Sequence, residues 1–85
     1  MEFVMSDEAL ADKIYSIIRT VLDQPVELSP ATTAKDVQGW DSLKHILIIV
    51  EVESAFDIRL AAVDVEGIRC VGDFVATVAR KVATS

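Results

Sequence analysis

Residues 39 to 45 read "GWDSLKH" and set an acid, an alcohol and an imidazole close together as Asp41, Ser42 and His45. Two chemistries could use such a set. In a hydrolytic triad the alcohol attacks, the imidazole takes its proton, and a carboxylate orients the imidazole. In a carrier, the serine is only the place where something is attached. Asp41 and Ser42 are adjacent, so their side chains diverge and cannot sandwich a shared imidazole. Ser42 and His45 lie three apart and could touch on a helix. The sequence has no G-x-S-x-G elbow and no glycine-rich loop to supply oxyanion donors. A serine without these does little hydrolysis, which turns attention to what positions it.

The surrounding pattern is helical. Ser6 is a good N-cap, followed by Asp7 and Glu8 where carboxylates suit the helix dipole. Leu10, Ile14, Ile17, Ile18, Val21 and Leu22 then recur at helical spacing, leaving Asp12, Lys13, Ser16 and Arg19 outside. This predicts a helix over about 7–22. Residues 23–41 break the pattern with two prolines, a glycine and clustered Ser, Thr and Asp. So long a connection in so small a domain is usually functional or tied down. Val26, Leu28, Val37 and Trp40 are its expected apolar pegs. Its length is read as allowing the flanking helices to run roughly parallel.

Residues 42–56, "SLKHILIIVEVESAF", predict the second helix, with Asp41 or Ser42 as its cap. The β-branched run "ILIIVEV" would suit a strand, but the cap and the absence of a turn signal favour helix. Asp64 could cap a short helix ending near Arg69, and a last helix is expected over about 71–83. That helix places Val71, Phe74, Val75, Val78 and Val82 on one face, with Arg80 and Lys81 near its C-terminal end. Cys70 stands at its cap position and caps poorly, so it reads as a buried thiol. Gly67 and Gly72 flank that cysteine, and 63–72 is expected to be the most mobile stretch and a gate for cargo. The fold class is all-α: a small four-helix bundle, three main helices and one short, with a long loop between helices 1 and 2. Residues 6–83 are expected to form one domain, with flexible ends expected at 1–5 and 84–85.

Composition narrows the function. The net charge of −6 argues against nucleic acid, whose phosphates need a basic surface. No apolar run approaches the roughly 18 residues of a membrane span. One cysteine and one histidine make a protein-only zinc site improbable and fit a reducing, cytoplasmic setting. The acidity is uneven. Residues 23–41 carry Asp23, Glu27, Asp36 and Asp41 against Lys35 alone, a net of −3 leading into Ser42.

"GWDSLKHILIIVEVESAFDIRL" resembles the attachment segment of acyl carrier proteins and peptidyl carrier domains. Their D-S-L motif opens the second helix, which closes on acidic residues and a phenylalanine, here Glu51, Glu53 and Phe56. The likeness extends over the helix order, the long loop, the acidic total and the length. It implies a non-enzyme that receives 4′-phosphopantetheine on Ser42 from a dedicated phosphopantetheinyl transferase. Acyl groups then ride as thioesters on the arm's thiol and meet acyl-loading and acyl-processing enzymes, in a fatty-acid-like, polyketide or other specialised pathway. A peptidyl or aminoacyl carrier, including the D-alanyl type, is the alternative on the same scaffold. Asp41 and Leu43 flank the attachment point, and His45 is a candidate to reach the phosphodiester, although such a residue more often packs or caps. A helix N-terminus suits that phosphate, because unpaired N–H groups and a partial positive charge face it.

On the second helix, His45, Ile48, Ile49, Val52, Ala55 and Phe56 are assigned to the core. Leu43, Ile46, Leu47 and Val50 form another apolar sector, too much for a small bundle to bury. Carriers of this kind usually meet partners through acids along this helix. Here Lys44 stands where many fatty-acid carriers have an acid, and 42–56 nets only −1. The expected recognition surface is therefore Leu43, Lys44, Ile46, Leu47, Val50 and Glu53, serving specialised enzymes of a monomeric carrier. The contrary expectation is that this sector packs against the loop or the short helix.

Overall fold

A computed structural model describes residues 7–84. It contains α1 (Asp7–Leu22), α2 (Ser42–Phe56), a short α3 (Ala62–Glu66) and α4 (Val71–Thr84), with a single 3-10 turn at Ala34–Asp36 inside the long loop. The run "ILIIVEV" is helical, and no strand occurs among the described residues. The Ser6 cap and the end 1–5 lie outside the described residues. Asp64 is not the cap of α3. It sits at the third helical position and accepts the Ala61 N–H at 2.9 Å, and the helix ends at Glu66, before Arg69.

The core joins Leu10, Ile14, Ile18 and Leu22 of α1 to Ile48 and Val52 of α2 and to Val71, Phe74 and Val78 of α4, with Val37 and Ile58 closing its ends. Of the residues assigned to the core on α2, Ala55 is exposed, and His45, Ile49 and Phe56 are half-buried. Helix ends close by left-handed residues: Asp57 at φ 54° follows α2, and Asp23 at φ 55° follows α1. Aspartate tolerates that conformation better than most residues, although glycine is the commoner choice.

α1 and α2 are antiparallel, contrary to the parallel arrangement read from the loop length. Lys44, at the start of α2, places its Nζ 3.5 Å from the Val21 carbonyl oxygen at the end of α1. At the other end, Lys13 lies over the Phe56 ring, 5.6 Å from its centroid. The helix ends that the loop joins are thus already neighbours, and its extra length goes elsewhere. It travels to the start of α4, where the carbonyls of Pro30 and Thr32 accept the N–H groups of Gly72 and Val71, each at 2.8 Å. These are orphan donors of a helix N-terminus. Loop backbone replaces the side-chain cap, which explains why Cys70 can precede α4 without capping it. Gly72 is no hinge: a Cβ there would lie 2.9 Å from the Pro30 oxygen, so the glycine permits the close approach. The stretch expected to be mobile is tied at this end, and at its other end Asp64 pairs with Lys81 of α4 at 2.9 Å.

The pegs of the loop are where the sequence placed them. Val37 is buried, and Val26, Leu28 and Trp40 pack against the core. Arg19, read as solvent-facing, is half-buried and donates from Nε to the Val26 carbonyl at 2.8 Å. It fastens the loop to α1.

Candidate functional site

The loop ends on a sharp turn. Gly39 adopts φ +92°, a region that a side chain would strain, and redirects the chain into Trp40 and Asp41. Asp41 is extended and is the N-cap of α2: its Oδ1 accepts the Lys44 N–H at 2.9 Å, while its carbonyl takes the His45 N–H at 2.9 Å. Asp41, not Ser42, therefore does the capping. Ser42 is the first helical residue, exposed, with no hydrogen bond to its hydroxyl among the described residues. Its hydroxyl is unencumbered. The N–H groups of Ser42 and Leu43 likewise meet no acceptor in the described protein, so the start of α2 keeps two donors open beside the hydroxyl.

The acidity of the loop has local causes. Asp23 forms the left-handed end of α1, Asp36 accepts the Thr33 N–H at 3.0 Å in the 3-10 turn, and Asp41 caps α2. Three of the four acids thus have backbone work to do. All three remain exposed.

His45 lies one turn beyond Ser42 and is half-buried. Its Nδ1 accepts a hydrogen bond from the Trp40 indole Nε1–H at 3.2 Å. The two rings are 6.0 Å apart, and the Phe74 ring stands 6.5 Å from the imidazole. Burial pushes the His45 pKa below its ordinary value. This geometry dismantles a triad. A triad histidine donates from Nδ1–H to a carboxylate, whereas here Nδ1 accepts from an indole and the Asp41 carboxylate is committed to Lys44. Trp40, His45, Ile68, Cys70, Val71 and Phe74 line a cavity of about 40 Å³. That is room for a few waters, not for a long acyl chain. Cys70 is half-buried at its wall and free of any disulfide.

The remaining residues named from the sequence divide into two groups. Leu43, Ile46, Leu47 and Val50 are 64 %, 57 %, 42 % and 51 % exposed, so this sector is not covered by loop or short helix. Val63 of α3 is also exposed, at 73 %, and periodicity in so short a helix held no signal for it. Lys44 and Glu53, by contrast, are half-buried and have structural partners. Lys44 reaches the end of α1, and the Glu53 carboxylate accepts the Leu60 N–H at 2.8 Å, bracing the turn after α2. No grouping of three or more metal-binding side chains exists among the described residues.

A family model described as "Phosphopantetheine attachment site" matches residues 12–78. Two solved structures share the fold. The solution structure of holo acyl carrier protein from Geobacter metallireducens superposes with a TM-score of 0.83 at 33 % identity, covering 88 % of this chain and 87 % of that one. A Mycobacterium tuberculosis protein, assigned provisionally as an acyl carrier protein, gives 0.79 at 32 % identity, covering 85 % of this chain and 97 % of that one. With the long-loop bundle, the serine at the head of α2 and a match over most of its length, this chain belongs to the phosphopantetheine-attachment family of carrier proteins, non-catalytic domains that work through a 4′-phosphopantetheine group.

Proposed function

We propose that Ser42 is the attachment point and that this chain holds acyl intermediates as thioesters, presenting them to enzymes of a specialised pathway. The observation that carries the reading is an exposed serine hydroxyl, free of hydrogen bonds, at the first position of a capped helix. The residues fit the group. Open N–H groups of Ser42 and Leu43 and the positive end of the α2 dipole favour a phosphodiester there. Asp41 holds the helix start rigid without occupying the serine. The 4′-phosphopantetheine arm supplies a thiol, which makes the thioester chemistry a property of the cofactor. Loading from CoA forms a bond from Ser42 Oγ to phosphorus and breaks the pyrophosphate. Adenosine 3′,5′-bisphosphate leaves, and the serine proton goes to a base on the transferase.

Partner enzymes would dock on Leu43, Ile46, Leu47 and Val50, whose exposure supports a more apolar interface than the acidic helix of many carriers. Lys44 and Glu53 would border it, with part of each committed inside the fold. No described helix is long and apolar enough to cross a membrane. A single half-buried cysteine fits a monomer working in a reducing cytoplasm.

Intact-mass spectrometry after co-expression with a phosphopantetheinyl transferase tests the attachment. Wild type gains the mass of one arm and Ser42→Ala gains none. An adduct on both, or on neither, removes Ser42 from this role. The mass of cargo loaded in the native host separates acyl from aminoacyl service.

A further inference from the structure

We propose that His45 is a positioning residue for Ser42: its unprotonated Nδ1 holds the Trp40 indole, and with it the loop end leading into Asp41–Ser42, so that presentation of the serine is sensitive to protons. The inference rests on the reading of Ser42 given above. It begins from donor and acceptor identity. An indole nitrogen can only donate, so the His45 nitrogen facing Trp40 Nε1 at 3.2 Å must be the bare, accepting one. Protonation sets two N–H groups against each other and ends the bond.

Few other links join the Gly39–Asp41 turn to its surroundings. The Trp40 N–H bonds the Val37 carbonyl, the Asp41 N–H bonds the Gly39 carbonyl, Gln24 donates to the Gln38 carbonyl at 2.6 Å, and Asp41 accepts the Lys44 and His45 N–H groups on its carboxylate and carbonyl. Among these described contacts, the indole–imidazole bond alone ties a side chain of the turn to a side chain of α2. Losing it leaves the Trp40 side chain held only by packing, one residue from the cap that organises Ser42.

The groups around the imidazole do not stabilise its charged form. Phe74 faces it from α4, and Asp73 beside Phe74 gives its carboxylate to the Arg69 N–H at 3.1 Å. Arg69 and Cys70 border the same cavity from the stretch before α4. On α2 itself, Asp41 is bonded to the Lys44 N–H, and the Lys44 ammonium points to Val21. Burial agrees, keeping the imidazole neutral. Because the folded state favours the neutral form, the contribution of the pair is full above the ordinary histidine value of 6.5 and falls as pH drops below it.

The chain has one tryptophan and one histidine, so the pair reports on itself. Tryptophan fluorescence of the unmodified chain is followed from about pH 8 to about pH 5, with circular dichroism as the folding control. Wild type is expected to titrate with a midpoint below 6.5, and His45→Asn, which keeps an acceptor near Nδ1 but cannot titrate, is expected to stay flat. A flat wild type, or an equal titration in His45→Asn, overturns the proton-sensitive pair. Wild type and His45→Asn then compete in one mixture for a transferase and CoA, with intact mass reading each product. Loss of one hydrogen bond predicts that the wild-type to variant rate ratio falls about two- to tenfold from about pH 7.5 to about pH 5.5. In a Trp40→Phe background, which lacks the donor, the ratio is expected not to move. A ratio unchanged in the native background overturns the positioning role. No adduct on wild type at any pH overturns the reading of Ser42 instead, and the positioning role falls with it, while the fluorescence result still decides the pair.

Discussion

The two sides of α2 are built from the same residue types and meet opposite fates. Ile48 and Val52 are fully buried, whereas Ile46 and Val50, two positions earlier in each case, stand more than half exposed. Chemistry of the side chain does not separate them. What separates them is that α1 and α4 close on one side of the helix and leave the other bare. An apolar residue that folding does not need to bury is available for something else, and at α2 four such residues follow the serine that we propose as the attachment point. The comparison thus divides one helix into a side that holds the fold and a side that we propose meets partners.

The largest break in that comparison is Ile48→Ala. Removing a buried isoleucine should cost about 2–5 kcal/mol, whereas Ile46→Ala should stay within about 0.5 kcal/mol, both read from denaturant midpoints. Equal losses would mean that the two sides are not distinct. Next in size is Asp41→Ala, which removes the cap from both sides at once. A cost of about 0.5–2 kcal/mol is expected, with slower arm transfer to Ser42. A smaller effect is expected at Asp64 on α3. The hydrogen bond from Lys81, then the Ala61 N–H, holds its carboxyl below the ordinary value of 3.8. A depressed carboxyl stabilises the fold above its unfolded value and loses that contribution as pH falls through its folded one. Asp64→Asn should therefore lower the thermal midpoint near neutral pH, and its difference from wild type should shrink in acid. The smallest stability change belongs to Leu47→Glu, exposed and outside the core. Its effect is expected in pull-downs, as lost binding to the native partner enzyme, and unchanged binding would detach this side of α2 from recognition.

Much of this was legible in the residues. The bounds of α1 and α2 follow from helical spacing, and the loop pegs Val26, Leu28, Val37 and Trp40 stand out as isolated apolar positions in a polar stretch. The serine's motif announced the family, and the match over residues 12–78 bears it out. Other features were hidden because they depend on partners distant in the chain. Lys44 and Glu53 read as surface charges, yet one reaches the end of α1 and the other braces Leu60. Gly72 reads as part of a mobile stretch and is a contact point for Pro30. Loop length suggested parallel helices, because length says how far a chain could travel and nothing about where it goes.

Periodicity, capping residues and the D-S-L motif by themselves determined the helices, the family and the candidate serine, since each depends on neighbours within a turn or two. Tertiary structure alone decided which apolar side of α2 is covered, that α1 and α2 run antiparallel, and that the indole of Trp40 finds the imidazole of His45. Those outcomes depend on where separate elements come to rest. Local spacing encodes which surfaces want a partner, but only packing assigns the partner.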